Sequence, residues 1–340
     1  MKETPSELGY RMPAEWEKHD ATWLSWPKDP DTFPPETLPK VEAAYAKMVA
    51  ALSREEEVRI LVDDDRTKAR VASMLGRAGR VRFIVLKTAD VWTRDYAPTC
   101  VRGRDVALVK WRFNAWGGKY DDLLPDDDAG AKLAELTGLR TFTPGVVLEG
   151  GSIDVNGTGS VLTTEQCLLN PNRNPSLSRA DIEAVLRENL GVTNVVWLRE
   201  GIEGDDTDGH VDDVARFVGE RTVLAASEPD RGDPNHRPLE EDMALLRGAA
   251  DERGRDLEVV GVPMPPRVDG PDGRLPASHL NFYIGNGSVV VPTFGGDTDR
   301  VALKALERAF PRRDVVGIDC RALVYGLGTL HCVTQQVPAP

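Results

Sequence analysis

The residues best suited to chemistry are one cysteine near the C-terminal end and three acidic segments far upstream of it. Cys332 follows the glycine-rich stretch Gly326-Leu327-Gly328-Thr329-Leu330-His331 and lies eight residues from the last position. The upstream segments are Trp92-Thr93-Arg94-Asp95, Leu148-Glu149-Gly150-Gly151 and Asp208-Gly209-His210-Val211-Asp212-Asp213. A thiol, an imidazole and several carboxylates together suit nucleophilic attack on a cationic amidine carbon, with guanidinium hydrolysis as the reaction.

Each residue also has a plainer reading. Gly326 and Gly328 permit positive φ and close approach of a ligand, which predicts a strained, open loop with Cys332 exposed as nucleophile. A free cysteine is otherwise among the most buried residue types, and Cys100, Cys167 and Cys320 are read that way. His210 is the best general acid/base of the five histidines. Asp95 and Asp212 stand beside strand-like runs, where two carboxylates facing one cleft would match the paired N–H donors of a planar guanidinium. Either aspartate alone reads as a turn or cap. Glu149 is a surface-loop acid or the group that orients the imidazole. Trp92 and Trp116 are core residues or walls that stack on a cation. A calcium loop built on Asp206, Asp208 and Gly209 fails, because Gly204 and Ala215 would occupy its first and last ligand positions. A transition metal on His210 and nearby carboxylates stays open as an alternative.

The elements that must position these groups alternate between strand-like runs and amphipathic helices. Strands are predicted at 57–62, 81–86, 106–110, 159–163, 195–198, 214–217, 222–225, 259–262, 280–284, 288–292 and 315–319, with helices at 65–75, 178–190 and 298–310. Ser178 and either Asp297 or Thr298 are the expected helix caps. The acidic or glycine-rich segments 121–130 and 267–276 read as loops too short to divide domains, so a single α/β domain over 1–340 is the simpler organisation.

Composition narrows the function. With 42 basic against 55 acidic residues the formal charge is −13, which repels phosphate backbones and anionic lipid and favours a small cationic partner over nucleic acid. Hydrophobic residues make up 41%, and no apolar run approaches the ~18 residues of a membrane span. The opening MKETPSELGYRMPAEWEKHD lacks an apolar signal core, so cytoplasmic residence is expected. Four cysteines without a C-x-x-C pair argue against disulfides and cysteine-held zinc. A monomer and a symmetric dimer are both compatible with the chain.

Taken with Met12-Pro13-Ala14-Glu15-Trp16-Glu17, Trp23-Leu24-Ser25-Trp26-Pro27, Phe113-Asn114-Ala115-Trp116-Gly117-Gly118, Asn170-Pro171-Asn172-Arg173-Asn174-Pro175, Asn281-Phe282-Tyr283-Ile284 and Leu330-His331-Cys332-Val333-Thr334-Gln335-Gln336, the segments above carry a resemblance that runs nearly end to end. The chain resembles the agmatine deiminases and the related bacterial peptidylarginine deiminases of the guanidine-modifying pentein superfamily. The resemblance implies a five-bladed α/β propeller, with pseudo-fivefold ββαβ repeats of about 68 residues around a central cleft. It implies Cys332 as nucleophile, His210 as general acid/base, Asp95 and Asp212 as guanidinium ligands, Glu149 as the glutamate that orients the histidine, and Trp92 as a slot residue. No metal or organic cofactor is implied. For agmatine, whose far end is an ammonium, Asp206 or Glu203 is the expected distal reader. The Asp208–Asp213 segment and the short 263–279 stretch depart from the plant-like pattern, which keeps arginine or peptidyl-arginine open as substrates. A non-catalytic guanidine- or polyamine-binding protein is the remaining alternative.

Overall fold

Short β-rich runs bounded by polar turns, each followed by an amphipathic helix, build one plan five times in the computed structural model, which describes residues 3–340. A short strand pairs antiparallel with a second. A helix then crosses over to a third strand parallel to the second, as a parallel neighbour requires. The second sheet joins Thr99–Arg102, Val106–Val109 and Thr141–Phe142. The third joins Asp154–Val155, Ser160–Thr164 and Asn194–Leu198. The fourth joins Ala215–Phe217, Thr222–Ser227 and Glu258–Pro263, and the fifth joins Tyr283–Ile284, Ser288–Thr293 and Asp314–Asp319. The first sheet closes the chain on itself: Gln335–Pro338, from the C-terminal end, pairs antiparallel with His19–Ser25, which continues in parallel to Glu57–Val62 and Val81–Val85.

Burial grades across each unit. Val106–Val109 and Ser160–Thr164 are buried along their whole length, whereas the third strand Asp314–Asp319 is mostly exposed or half-buried. Val106–Val109 accordingly reads as an unbroken apolar run without alternation, while Ser160–Thr164 buries its Ser and Thr residues along with Val161 and Leu162.

The turn that leads into the first strand of each unit faces the other four. The peptide N–H of Arg94 donates to the Cys332 carbonyl at 3.1 Å, and that of Gly151 donates to Asp95 Oδ1 at 2.9 Å. A Cβ on Gly151 would lie 2.5 Å from His210 Nδ1. The Ser278 hydroxyl donates to the Asp213 carbonyl at 2.8 Å, and the peptide N–H of His331 returns to Asn281 Oδ1 at 3.0 Å. These contacts close a ring through all five lead-in turns.

Most predicted elements agree with the structure to within a residue or two. The helix Arg179–Leu190 carries the expected Ser178 cap, completed as a capping box by Asp181. Three expectations are corrected. The helix Asp297–Ala309 is preceded by Gly296 and has no side-chain cap; Asp299 instead accepts the peptide N–H groups of Phe294 and Gly295. The supposed loop at 121–130 is helical, with Asp126, Asp127 and Asp128 in the first turn of Pro125–Thr137, where the helix dipole favours acids. Only Tyr283–Ile284 of the predicted 280–284 run is strand; the preceding residues form a lead-in turn. Among the described residues, no helix is long and apolar enough to cross a membrane.

Candidate active site

The five catalytic candidates of the sequence lie on four of the lead-in turns, because that position in the repeat points inward. Asp95 lies on the short helix Thr93–Tyr96, and Glu149 immediately precedes Gly150–Ser152. His210 and Asp212 flank the start of Val211–Asp213, and Cys332 stands just before Gln335–Pro338. All are buried. His210 Nδ1 is 3.8 Å from Asp95 Oδ2, and Cys332 Sγ is 3.7 Å from Asp212 Oδ2. Gly151 makes this convergence possible: a Cβ there would also lie 3.0 Å from Asp95 Oδ1 and 3.2 Å from Asp212 Oδ2.

Cys332 is not exposed, contrary to what the glycines predict. It is only 7% exposed and forms part of a cavity wall. The positive φ in its loop falls on Leu327, at 71°, and neither neighbouring glycine has one. Gly328 is required by close approach instead, since a Cβ would lie 2.5 Å from the Trp92 ring; one on Gly326 would lie 2.7 Å from Phe33.

Electrostatics in this buried site are dominated by desolvation and by the crowding of acids. Burial, then Asp212, Asp213 and Asp95, pushes the Cys332 thiol well above its ordinary range. Burial works against a charged His210, but Asp95, Cys167 and Asp212 outweigh it and raise the imidazole well above its usual value. Asp95 is raised, chiefly by burial, with His210 opposing. Asp212 is lowered despite burial, through the hydrogen bond and charge of His331, then His210 and Arg216.

Glu149 faces the rear of the imidazole, yet its Oε2 is 4.0 Å from His210 Nε2, beyond hydrogen-bond length. Its close partner is Arg173, whose Nε donates to Oε1 at 2.8 Å. Cys167, read as a plain core cysteine, lies beside both: ligand atoms of Glu149, Cys167 and His210 all fall within 4.8 Å of one another. These are the residues that could hold a metal. The acids around His210 serve the loop instead, with Asp205 Oδ2 accepting the peptide N–H groups of Gly209 and His210.

A cavity of about 470 Å³ opens onto Cys332 and Asp95, walled by Trp92 and Trp116. Trp116 Nε1 donates to Asp95 Oδ2, and Trp92 Nε1 donates to Asp90 Oδ2, both at 2.9 Å. Asp206 also lines the cavity and accepts the Tyr120 hydroxyl. Glu203 does not line it; its carboxylate is paired with Arg274 at 3.2 Å. Among the described residues, six aspartates, at 31, 90, 95, 122, 206 and 272, line this space against one cation, Arg274, whose Nη1 is held by Asp233 at 2.7 Å.

Asn281, His331, Glu15, Arg94 and Arg216 surround the site without their residue types or spacing having pointed there. Asn281 Nδ2 lies 3.0 Å from Cys332 Sγ, and its Oδ1 accepts the peptide N–H groups of His331 and Cys332. Glu15 is a buried hub for His331, Arg94 and Arg216. The available signals were that Asn281 and Glu15 lie in recognisable motifs and that His331 adjoins Cys332.

A self-closing set of five ββαβ units, with a thiol, an imidazole and paired carboxylates gathered on the lead-in turns, defines the guanidine-modifying pentein class. Within that class the chain belongs to the Porphyromonas-type peptidyl-arginine deiminase family, which it matches over residues 11–338. It is 41% identical to the agmatine deiminase of Stutzerimonas stutzeri, covering 99% of this chain and 98% of that protein. Among solved structures, it is similar to the agmatine deiminase of Enterococcus faecalis, with TM-score 0.92 and 33% identity over 99% of this chain and 98% of that one. A C. jejuni agmatine deiminase with substrate bound superposes with TM-score 0.88 at 28% identity, covering 97% of this chain and 96% of that one.

Proposed function

We propose that the chain hydrolyses the guanidinium of agmatine to N-carbamoylputrescine and ammonia through a covalent cysteine intermediate. The cavity's charge carries this reading: six aspartates line the space onto which Cys332 opens, and the single lining cation among the described residues is already neutralised by carboxylates. Such a space favours a ligand with positive charge at both ends. Arginine would bring a carboxylate that needs a free cationic partner, and no lining residue among those described offers one. The similarity to named agmatine deiminases supports the same choice.

In the proposed reaction Asp95 and Asp212 grip the guanidinium N–H groups, and Trp92 and Trp116 wall the slot. The Cys332 thiol is held protonated by its acidic, buried surroundings, so a bound cation is what brings it toward thiolate. The thiol proton leaves to solvent through the cavity mouth, and the Sγ attacks the guanidinium carbon, forming an S–C bond as the C–N π electrons withdraw onto nitrogen. His210, charged in this setting, protonates one amino nitrogen, which departs as ammonia and leaves an S-alkylthiouronium. The neutral imidazole then takes a proton from water as the oxygen attacks. The S–C bond breaks as the remaining hydroxyl proton passes to the departing sulfur, which restores the thiol, and the ureido product leaves. Glu149, tethered by Arg173, backs the imidazole, and Asp206 reads the distal ammonium. The compartment proposed is the cytoplasm, which four free cysteines suit.

The test is incubation with agmatine, arginine and an N-terminally blocked arginine peptide, following ammonia and ureido product, with Cys332→Ala as control. Product from agmatine alone is expected, and none from Cys332→Ala. Turnover of the peptide or arginine in preference to agmatine would move the assignment, and turnover by Cys332→Ala would remove the covalent step.

A further inference from the structure

Beneath the cysteine-bearing turn lies a buried ion network to which the proposed mechanism gives no task. His331, next to Cys332 in the chain, is 2% exposed. Its Nδ1 lies 2.7 Å from Asp212 Oδ2 and its Nε2 lies 2.8 Å from Glu15 Oε2. We propose that His331, anchored by Glu15, is a positioning residue that aims Asp212 into the guanidinium slot. This rests on the reading of Asp212 as a guanidinium ligand.

The two ends of the bridge differ in freedom. Glu15 cannot move: Oε1 accepts from Arg216 Nη2 at 3.0 Å and from the Ile284 peptide N–H at 2.8 Å, while Oε2 sits 3.4 Å from Arg94 Nη2. Those partners come from three different sheets or their lead-in turns, so Glu15 belongs to the rigid frame. The His331 backbone is pinned as well, by Asn281 Oδ1 at 3.0 Å. Asp212 Oδ2 is fixed by the imidazole, with the Cys332 thiol a longer second contact at 3.7 Å, and its Oδ1 is buried with no hydrogen-bond partner among the described residues. That division suits a ligand-gripping carboxylate: one oxygen is committed to the frame and the other is kept for substrate.

The same contact keeps Asp212 ionised. The groups that bear on it are His331, His210 and Arg216, opposed by burial and by its acidic neighbours Asp213 and Asp95, with the Cys332 thiol also adjacent. His331 supplies the leading favourable influence against burial. Without that hydrogen bond, a buried carboxyl among other carboxyls takes up a proton at higher pH and stops attracting a cation.

Two substitutions separate positioning from mere packing, because the amide of Asn overlays ring Nδ1 and that of Gln overlays ring Nε2. Agmatine affinity is measured calorimetrically in a Cys332→Ala background from about pH 6 to about 8.5, where an ordinary carboxylate stays charged. His331→Asn keeps the donor to Asp212 and is expected to bind within about threefold of the parent. His331→Gln keeps only Glu15 and is expected to bind roughly tenfold more weakly near neutrality, with a deficit that grows as pH falls. Equal losses in both variants, or a pH-independent loss, would overturn the proposal. If either variant fails to fold, Glu15→Gln loosens the anchor and is expected to give a milder form of the same pH-dependent loss; an unchanged profile there counts against the bridge. A crystal structure of His331→Gln reads the effect without substrate: Asp212 should rotate, and an unmoved carboxylate refutes positioning. Should the Cys332→Ala parent bind no agmatine at any pH, the agmatine reading fails, and the Asp212 orientation still decides this one.

Discussion

Trp116 donates its indole N–H to Asp95 Oδ2 at 2.9 Å while its own backbone sits in the left-handed region, at φ 52° and ψ 47°. Ala115 before it also has φ 52°, and Gly117 and Gly118 follow at 91° and 76°. A bulky residue in this conformation costs roughly 1–2 kcal/mol. The surroundings hold it there: Asn114 Oδ1 accepts the Gly117 N–H at 2.9 Å, and Asn114 Nδ2 donates to the Asn172 carbonyl at 3.0 Å. Strain at this point is spent on turning the indole toward a carboxylate in the cavity wall.

Trp116→Phe keeps an aromatic wall and deletes that donor. A charge-assisted hydrogen bond of this kind is worth about 1.5 kcal/mol, so KM for agmatine should rise roughly tenfold while kcat changes much less. Steady-state kinetics decides it. A fall in kcat with unchanged KM would mean that Asp95 matters to the chemical step and not to the grip.

The Cys332 thiol should be slow to react in the free protein. Burial and the carboxylates Asp212, Asp213 and Asp95 raise it, so the thiolate fraction is small at neutral pH and increases only as pH climbs. Inactivation by iodoacetamide should therefore still be accelerating beyond the ordinary thiol range of about pH 8.5. Guanidinium ion in the slot should move the curve to lower pH. A plateau reached below neutrality without ligand would show a preformed thiolate and rule out activation by the bound cation.

Much of the fold was legible because each unit repeats a local pattern. The Arg179–Leu190 helix displays its cap and its apolar spacing within a dozen residues, and Val106–Val109 is apolar throughout. The closure of the first sheet was not legible, since Gln335–Pro338 and His19–Ser25 lie at opposite ends of the chain and neither encodes the other. The same distinction runs through the site. Cys332, His210, Asp95 and Asp212 are reactive types on quotable motifs. The partner of His331, however, is 316 positions away, and a glutamate at position 15 looks like any surface acid until Arg94 and Arg216 close around it. Nor could composition distinguish a glycine chosen for positive φ from one chosen for contact, as Gly328 illustrates.

Substitution of Asp206 tests whether recognition of the substrate's far end is separate from the reaction at its near end. It lines the cavity and accepts the Tyr120 hydroxyl; Lys119 reaches only its carbonyl. Asp206→Asn retains the shape and removes the charge. KM for agmatine should rise about tenfold or more, as expected for a desolvated ion pair, whereas an alkylguanidine without the amine should be processed as by the parent. Equal losses on both substrates would place Asp206 in loop architecture and leave the distal reader unassigned.

Gly151→Ala tests whether His210, Asp95 and Asp212 work as one assembly. An added methyl has nowhere to go: it would lie 2.5 Å from His210 Nδ1, 3.0 Å from Asp95 Oδ1 and 3.2 Å from Asp212 Oδ2. Relief requires the Gly150–Ser152 turn or the imidazole to retreat, and the peptide N–H that holds Asp95 Oδ1 at 2.9 Å travels with the turn. Displacement of reacting groups by around 1 Å costs on the order of a hundredfold in rate, so kcat/KM should fall by at least that much. The sheets themselves do not depend on this contact, so the variant should fold, with a modest decrease in Tm. Near-wild-type activity in a folded Gly151→Ala protein would mean that His210, Asp95 and Asp212 need not converge here for turnover, and the assigned roles would fall together.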